Sequence, residues 1–207
     1  EAYKTAENWS EYVDYVVGYN FETGEEVAIS NKLFYTATAL VKPYDASAFN
    51  VSIVSNEWDE ATGEGIITFD GELTTIGYRA FYNCYKLRSV TIPDSVTTIG
   101  DMAFWNCSSL AEFKGKFAED GGRCLIIDGV LNAFALGCGV TEYTIPDSVT
   151  TIGEAAFVYC YDLTSVTIPD SVTTIGDSAF AECSSLTSVT IPDSVTTIGW
   201  YAFLGCE

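Results

Sequence analysis

The chain has 207 residues, enough for one large domain or two small ones, and 48% of them are apolar, which allows a packed interior. Its 29 acidic residues against 9 basic ones give a formal charge of −20, which disfavours binding to nucleic acid or to an anionic membrane surface. Histidine is absent, which removes the commonest catalytic base and the usual zinc ligand, so we expect neither enzymatic activity nor a cofactor.

Residues 1–20 are predicted to form a helix. Ala6, Trp9 and Val13 recur at helical spacing, and Gly18 would end the helix.

Residues 21–70 are predicted to form β-hairpins. Lys32–Thr38 and Ala39–Pro43 are strand-like, and Val51–Trp58 and Gly65–Phe69 alternate around a turn-forming segment. We expect these hairpins to cover the first unit of the array that follows, because that unit has a bare apolar side.

Residues 71–207 are dominated by one recurring phrase, T-T-I-G-x-x-A-F-x-x-C-x-x-L-x-x-V-T-I-P-D-S-V. Three of the four steps between copies are 23 residues, and the fourth is 53. The isoleucine of the phrase stands at Ile76, Ile99, Ile152, Ile175 and Ile198. A fixed short period predicts stacked coils that bury their apolar faces against their neighbours.

Each coil is predicted to contain two short strands and one helical turn. Leu163, Val166 and Ile168 are spaced like the inward residues of a strand with one buried face, and Ser165 and Thr167 between them point outward. Pro169 and Asp170 turn the chain, and residues 172–175 form the second strand. Residues 179–183 then form a short helical turn whose phenylalanine fills the core.

Residues 114–143 interrupt the period and form an atypical coil. Asp128-Gly129 stands between two β-rich runs, which predicts a hairpin at that position.

Five of the seven cysteines lie three residues after the repeated phenylalanine, at Cys84, Cys107, Cys160, Cys183 and Cys206. A residue fixed by the repeat phase packs in the same way in every coil, so these are predicted to be buried thiols rather than disulfides. Cys124 and Cys138 lie outside the phase, and a bridge between them stays open.

The phrase I-P-D-S-V…I-G-x-x-A-F-x-x-C-S-S-L resembles the BspA-like (Treponema-type) leucine-rich repeat, most clearly at Ile152–Leu163 and Ile175–Leu186. The resemblance implies a right-handed repeat solenoid with parallel strand ladders, and residues 1–20 resemble the closing helix of a preceding array. It implies a secreted or surface-anchored bacterial protein that adheres to host proteins, and it supplies no catalytic residues. Because residues 71–207 stop within a coil and the chain begins at Glu1, we expect a piece of a longer protein. Its uncapped last coil is expected to pair end to end with another molecule or to be disordered.

The outward side chains of the first strands are the predicted binding face for an extracellular or host protein. The face comprises Ser89, Thr91, Glu112, Lys114, Glu142, Thr144, Ser165, Thr167, Ser188 and Thr190, with Tyr143 nearby. The simpler explanation is that hydroxyl residues have good β propensity on a solvated face. A regular hydroxyl ladder could also bind ice.

Other functions stay open from the sequence. The coils could be a spacer that projects another domain, or a glycan-binding module that uses Trp58, Trp105 and Trp200. The turn aspartates Asp94, Asp147, Asp170 and Asp193 could line up for Ca²⁺, but each has a sufficient local role in its turn. We therefore expect no metal, and with no apolar run near the ~20 residues of a spanning helix we expect no membrane insertion.

Overall fold

A computed structural model describes residues 30–206, together with the backbone of two short strands, β1 (Gly18–Asn20) and β2 (Glu25–Val27). These two strands pair antiparallel. The helix predicted for residues 1–20 therefore does not extend over its last three residues, and residues 1–17 lie outside the described residues.

An antiparallel hairpin sheet precedes the coils and joins them edge to edge. It contains β3 (Lys32–Ala37), β4 (Ile53–Trp58) and β5 (Glu64–Phe69) in the order β4-β5-β3. Strand β3 continues the sheet by pairing with the first coil, so the cap and the array share backbone hydrogen bonds as well as a core.

The prediction of a second cap strand at Ala39–Pro43 is wrong. Residues 39–43 have no strand pairing, and a 3-10 turn follows at Ala46–Ala48. Val41 alone in this run is buried. Its carbonyl accepts a hydrogen bond from the side-chain amide of Asn56, not from a backbone N–H as in a sheet.

Each coil contributes strands to two parallel ladders, as predicted. The first ladder contains β7 (Leu87–Thr91), β9 (Glu112–Lys114), β13 (Glu142–Thr144), β15 (Ser165–Thr167) and β17 (Ser188–Thr190). The second contains β6 (Thr75–Ile76), β8 (Thr98–Ile99), β14 (Thr151–Ile152), β16 (Thr174–Ile175) and β18 (Thr197–Ile198). Equivalent residues are in register, as in Ser165 opposite Ser188, so the chain is a leucine-rich-repeat type of β-solenoid.

The atypical coil interrupts both ladders. It consists of β10 (Ala118–Glu119), β11 (Cys124–Ile127) and β12 (Val130–Phe134), with the predicted hairpin turn at Asp128-Gly129. Both turn residues have positive φ, 50° and 77°, as the tight hairpin turn requires. Strand β12 then pairs parallel with β14, and the regular coils resume.

Strand β11 separates two cores. All four of its side chains are buried, because alternate residues face opposite sides. Leu125 and Ile127 pack with the front core, whereas Cys124 and Ile126 pack with the rear core.

The segment predicted as a helical turn is a pair of hydrogen-bonded turns instead. In the fourth regular coil, Ala179 N–H donates to Gly176 and Cys183 N–H donates to Phe180. Ser178 and Glu182 have φ of 53° and 60°, and left-handed residues at this spacing prevent an α-helix.

The repeated phenylalanines Phe81, Phe104, Phe157 and Phe180 are buried, and their rings are aligned between neighbouring coils, as predicted. Phe81 stacks on Phe104 at 5.4 Å, and Phe157 stacks on Phe180 at 4.9 Å. The column is divided at the atypical coil, where Phe134 takes over the contact with Phe157 at 4.8 Å.

Candidate binding surfaces

The predicted strand face divides into two parts, because the atypical coil separates β9 from β13. The front part belongs to the five-stranded sheet β4-β5-β3-β7-β9, and the rear part to the three-stranded sheet β13-β15-β17. The rear part is a flat, exposed surface with two rows in register. One row is Glu142, Ser165 and Ser188, and the other is Thr144, Thr167 and Thr190.

Two residues predicted on the binding face are buried. Ser89 is 6% exposed, because cap strand β3 pairs beside it and its hydroxyl lies 2.7 Å from the hydroxyl of Thr36. Tyr143 is 5% exposed and packs against Phe134 and Phe157.

Tyr143 is a core residue because it occupies the inward position of its strand, equivalent to Val166 in the next coil. Its hydroxyl donates to the Sγ atom of Cys124 over 3.2 Å. Burial raises the pKa of Tyr143 above that of an exposed tyrosine.

The remaining front residues are only partly available to a partner. Thr91 lies opposite Phe34 and is half-buried. Lys114 and Glu112 form an ion pair with each other at 3.7 Å, and their side chains are 39% and 48% exposed. The rear part of the face is therefore the more open one.

The phased cysteines are buried thiols, as predicted, although Cys206 in the last coil is only half-buried. Burial raises the pKa of Cys84 to about 12 and that of Cys124, which lies outside the phase, to about 11, so these two thiols are protonated near neutral pH and are poor nucleophiles. At Cys183 the hydrogen bond with Cys160 lowers the pKa instead. Cys124 and Cys138 are both free, and Cys124 is the hydrogen-bond partner of Tyr143 instead.

The turn aspartates do not have the local role that the sequence predicted. Within residues 30–206, the carboxylates of Asp94, Asp147, Asp170 and Asp193 accept no hydrogen bond that would stabilise the turns. The turns are closed by backbone bonds such as Val172 N–H to Pro169. In the same part of the chain, no group of three or more potential ligand side chains is placed to hold a metal ion.

An aromatic edge runs along the turn side of the coils, and the sequence analysis did not identify it. We define it as Tyr82, Trp105, Tyr159 and Tyr161. Successive ring centroids are 4.3, 4.9 and 5.6 Å apart. Tyr82 and Trp105 share the position after the repeated phenylalanine, and that coincidence in the sequence was the available signal.

Trp105 is half-buried and covers its neighbouring coils, so little of its ring is free for a glycan. Tyr82 stacks on its ring at 4.3 Å with an interplanar angle of 4°, so one face of the indole is occupied within the chain. The side chain also packs on Ala155 and Val158 across the atypical coil. Trp58 is half-buried, whereas Trp200 is 77% exposed.

A small surface notch of about 10 Å³, the room of about one water molecule, lies beside Trp105. Its lining includes Met102, Trp105, Phe134, Glu154 and Val158. Burial is the main cause that raises the pKa of Glu154, followed by the nearby carboxylates of Asp101 and Asp177.

Comparison with known proteins places these features in a family. The model of the family described as BspA type leucine rich repeat region matches this chain in six copies, over residues 27–117 and 131–207. The chain belongs to this family. No curated protein sequence gives a significant match.

Solved structures of bacterial leucine-rich repeat proteins share the fold. A leucine rich cell surface protein from Faecalibacterium prausnitzii A2-165 is 30% identical, with a TM-score of 0.57 over 62% of this chain and 36% of that chain. The pneumococcal vaccine antigen PcpA is 20% identical, with a TM-score of 0.52 over 63% of this chain and 39% of that chain. The chain therefore spans little more than a third of the length of these relatives.

A leucine-rich repeat protein from Eubacterium ventriosum ATCC 27560 is also 30% identical, with a TM-score of 0.46 over 54% of this chain and 32% of that chain.

Within the described residues, no helix is long and apolar enough to cross a bilayer.

Proposed function

We propose that this chain is a non-catalytic protein-binding module at a bacterial cell surface, and that it adheres to an extracellular protein. The observation that carries the proposal is the rear strand face, where six outward side chains of β13, β15 and β17 are exposed and in register. The similarity to a leucine rich cell surface protein supports the location.

The backbone of the rear strand face is held in place before a partner binds. Its three strands are joined by parallel pairing, and the inward residues Tyr143 and Val166 are buried, whereas Val189 is half-buried. Preorganised surfaces lose less conformational entropy on binding than flexible ones, so a modest number of contacts gives measurable affinity.

The test is saturable binding to immobilised extracellular-matrix proteins, measured by surface plasmon resonance. Changing Thr144→Arg and Thr167→Arg places two bulky cations in adjacent strands of the face, and we expect binding to fall at least tenfold. The matched control is Thr150→Arg with Thr173→Arg, two exposed threonines one coil apart on the second-strand side. Equal loss in both double variants would contradict the assignment to the rear strand face, and no saturable binding by the unchanged protein would contradict the proposed function.

A further inference from the structure

The aromatic edge already holds one cation of the chain itself. The guanidinium carbon of Arg79 lies 4.8 Å from the ring centroid of Tyr78 and 4.9 Å from that of Tyr82. One of its terminal nitrogens is 3.9 Å from the sulfur of Met102. A guanidinium within about 6 Å of an aromatic centroid is attracted by the negative face of the ring, so this end of the aromatic edge is a cation-binding arrangement occupied from within.

The other end of the aromatic edge has the rings and the negative charge without a cation nearby in the sequence. No Lys or Arg follows Arg123, whereas ten Asp and Glu do. Tyr161 is 53% exposed and Tyr159 is half-buried, so both rings are accessible. The equivalent of Arg79 in this coil is Ala155.

One carboxylate acts on both of these rings. The charge of Glu182, an exposed residue of the next coil, adds to the effect of burial in raising the pKa of both Tyr159 and Tyr161. Glu154 lines the notch beside Trp105, where the charge of Arg79 partly offsets its own. A cation over Tyr159 and Tyr161 would therefore meet the negative charge of Glu182.

We propose that the aromatic edge at Tyr159 and Tyr161 binds Arg or Lys side chains of a basic polypeptide segment, in the way that Tyr78 and Tyr82 hold Arg79. This inference rests on the proposed function in that it requires a protein partner, but it assigns the contact to the turn side rather than to the rear strand face. Arginine is the preferred residue, because its planar guanidinium stacks on aromatic rings and is weakly hydrated.

The test uses a short fluorescent peptide of alternating arginine and glycine, titrated with the full chain and followed by fluorescence anisotropy. We expect saturable binding in about 0.01 M salt that weakens toward about 0.15 M, because exposed charges are screened. A glutamate–glycine peptide of equal length should not bind. Failure of the arginine peptide to bind at low salt would overturn this inference and leave the rear strand face untouched.

The first pair of variants separates the ring from the rest of the side chain. Tyr161→Ala should weaken binding of the arginine peptide about two- to fivefold, the range of an exposed cation–π contact. Tyr161→Phe keeps the ring and should bind like the unchanged protein. An unchanged affinity in Tyr161→Ala would overturn the inference, and Tyr161 is exposed enough that neither variant should affect folding.

The second pair separates local charge from net charge. Glu182→Gln removes the charge that acts on both rings and should weaken binding about two- to fivefold, the range of an exposed ion pair. The matched variant Asp193→Asn removes one charge from an exposed turn of the last coil. Equal weakening in the two variants would show attraction by overall charge alone and would overturn the inference.

Discussion

The thiol of Cys183 donates a hydrogen bond to the backbone carbonyl of Phe157 in the preceding coil, over 3.0 Å. Cys107 makes the same bond to Phe81 over 3.0 Å, and Cys206 bonds to Phe180 over 3.2 Å. In these three coils the cysteine of the repeat therefore joins the coil to the turn of the coil before it, whereas Cys84 bonds to the Lys42 carbonyl of the cap over 3.6 Å. This explains why it recurs at a fixed distance from the phenylalanine and why its role is packing rather than chemistry.

We predict that Cys183→Ala lowers the free energy of unfolding by about 1 kcal/mol, the scale of one small buried group together with a weak hydrogen bond. The carbonyl of Phe157 keeps a second donor, the N–H of Cys160, so a larger loss is not expected. Urea denaturation followed by circular dichroism measures the change. Cys206→Ala is the matched control, and it should cost less because Cys206 is only half-buried.

Stability should fall at alkaline pH because of the buried thiols. Burial raises the pKa of Cys84 to about 12 in the folded protein, whereas the ordinary pKa of a cysteine thiol is 9.0. Between these values the unfolded chain loses the proton and the folded protein keeps it. The stabilisation is therefore fully present below about pH 9 and is lost as pH rises toward 12.

The measurement is the free energy of unfolding at several pH values above and below 9. We expect Cys84→Ala to lose stability less steeply than the unchanged protein, with slopes that differ by up to about 1.4 kcal/mol per pH unit. Only the slopes are compared, since the substitution itself removes packing at every pH. Identical slopes would mean that Cys84 ionises equally readily in the folded protein.

The period of the sequence was sufficient to predict the coils, because the same inward residues recur every 23 residues. It also predicted the hairpin, because Asp128-Gly129 is a strong local signal. The role of that hairpin could not be predicted. Alternation alone does not say that both faces of β11 are buried, since this depends on a second core behind it.

The errors at the predicted binding face have two different physical causes. Ser89 has an outward phase, but cap strand β3 pairs beside it and covers it, a contact between distant segments that no local pattern contains. Tyr143 could have been placed correctly from alternation, because it stands between the outward residues Glu142 and Thr144. The aromatic edge was not predicted from the sequence, because Tyr159 and Tyr161 do not occupy the repeat position of Tyr82 and Trp105.

The docking of the atypical coil on β9 can be tested at two neighbouring glycines. A Cβ atom at Gly122 would lie 2.5 Å from the Phe113 carbonyl oxygen, whereas one at Gly121 would have no atom within 4 Å. Both residues have positive φ, 84° and 66°, so both alanine variants carry the same kind of backbone strain. We expect Gly121→Ala to cost about 1 kcal/mol and Gly122→Ala to cost clearly more.

Thermal denaturation of the two glycine variants gives the comparison directly. The extra loss in Gly122→Ala reports the displacement of β9, because Phe113 N–H donates to the Gly122 carbonyl over 2.8 Å. Equal melting temperatures for the two variants would mean that this contact adds nothing to stability.

Tyr143 should behave as a core residue rather than as a binding residue. Tyr143→Ala removes a ring that packs on Phe134 and Phe157, so we expect a loss of about 3–5 kcal/mol, the range for a buried aromatic side chain. Tyr143→Phe removes only the hydrogen bond to Cys124 and should cost about 0.5–1.5 kcal/mol. The neighbouring Glu142→Ala is the control, since Glu142 is exposed and its loss should leave the melting temperature within about a degree of the unchanged protein. Unfolding curves for the three variants give the free energies of unfolding. If Tyr143 had a surface role, Tyr143→Ala would lower the free energy of unfolding as little as Glu142→Ala does.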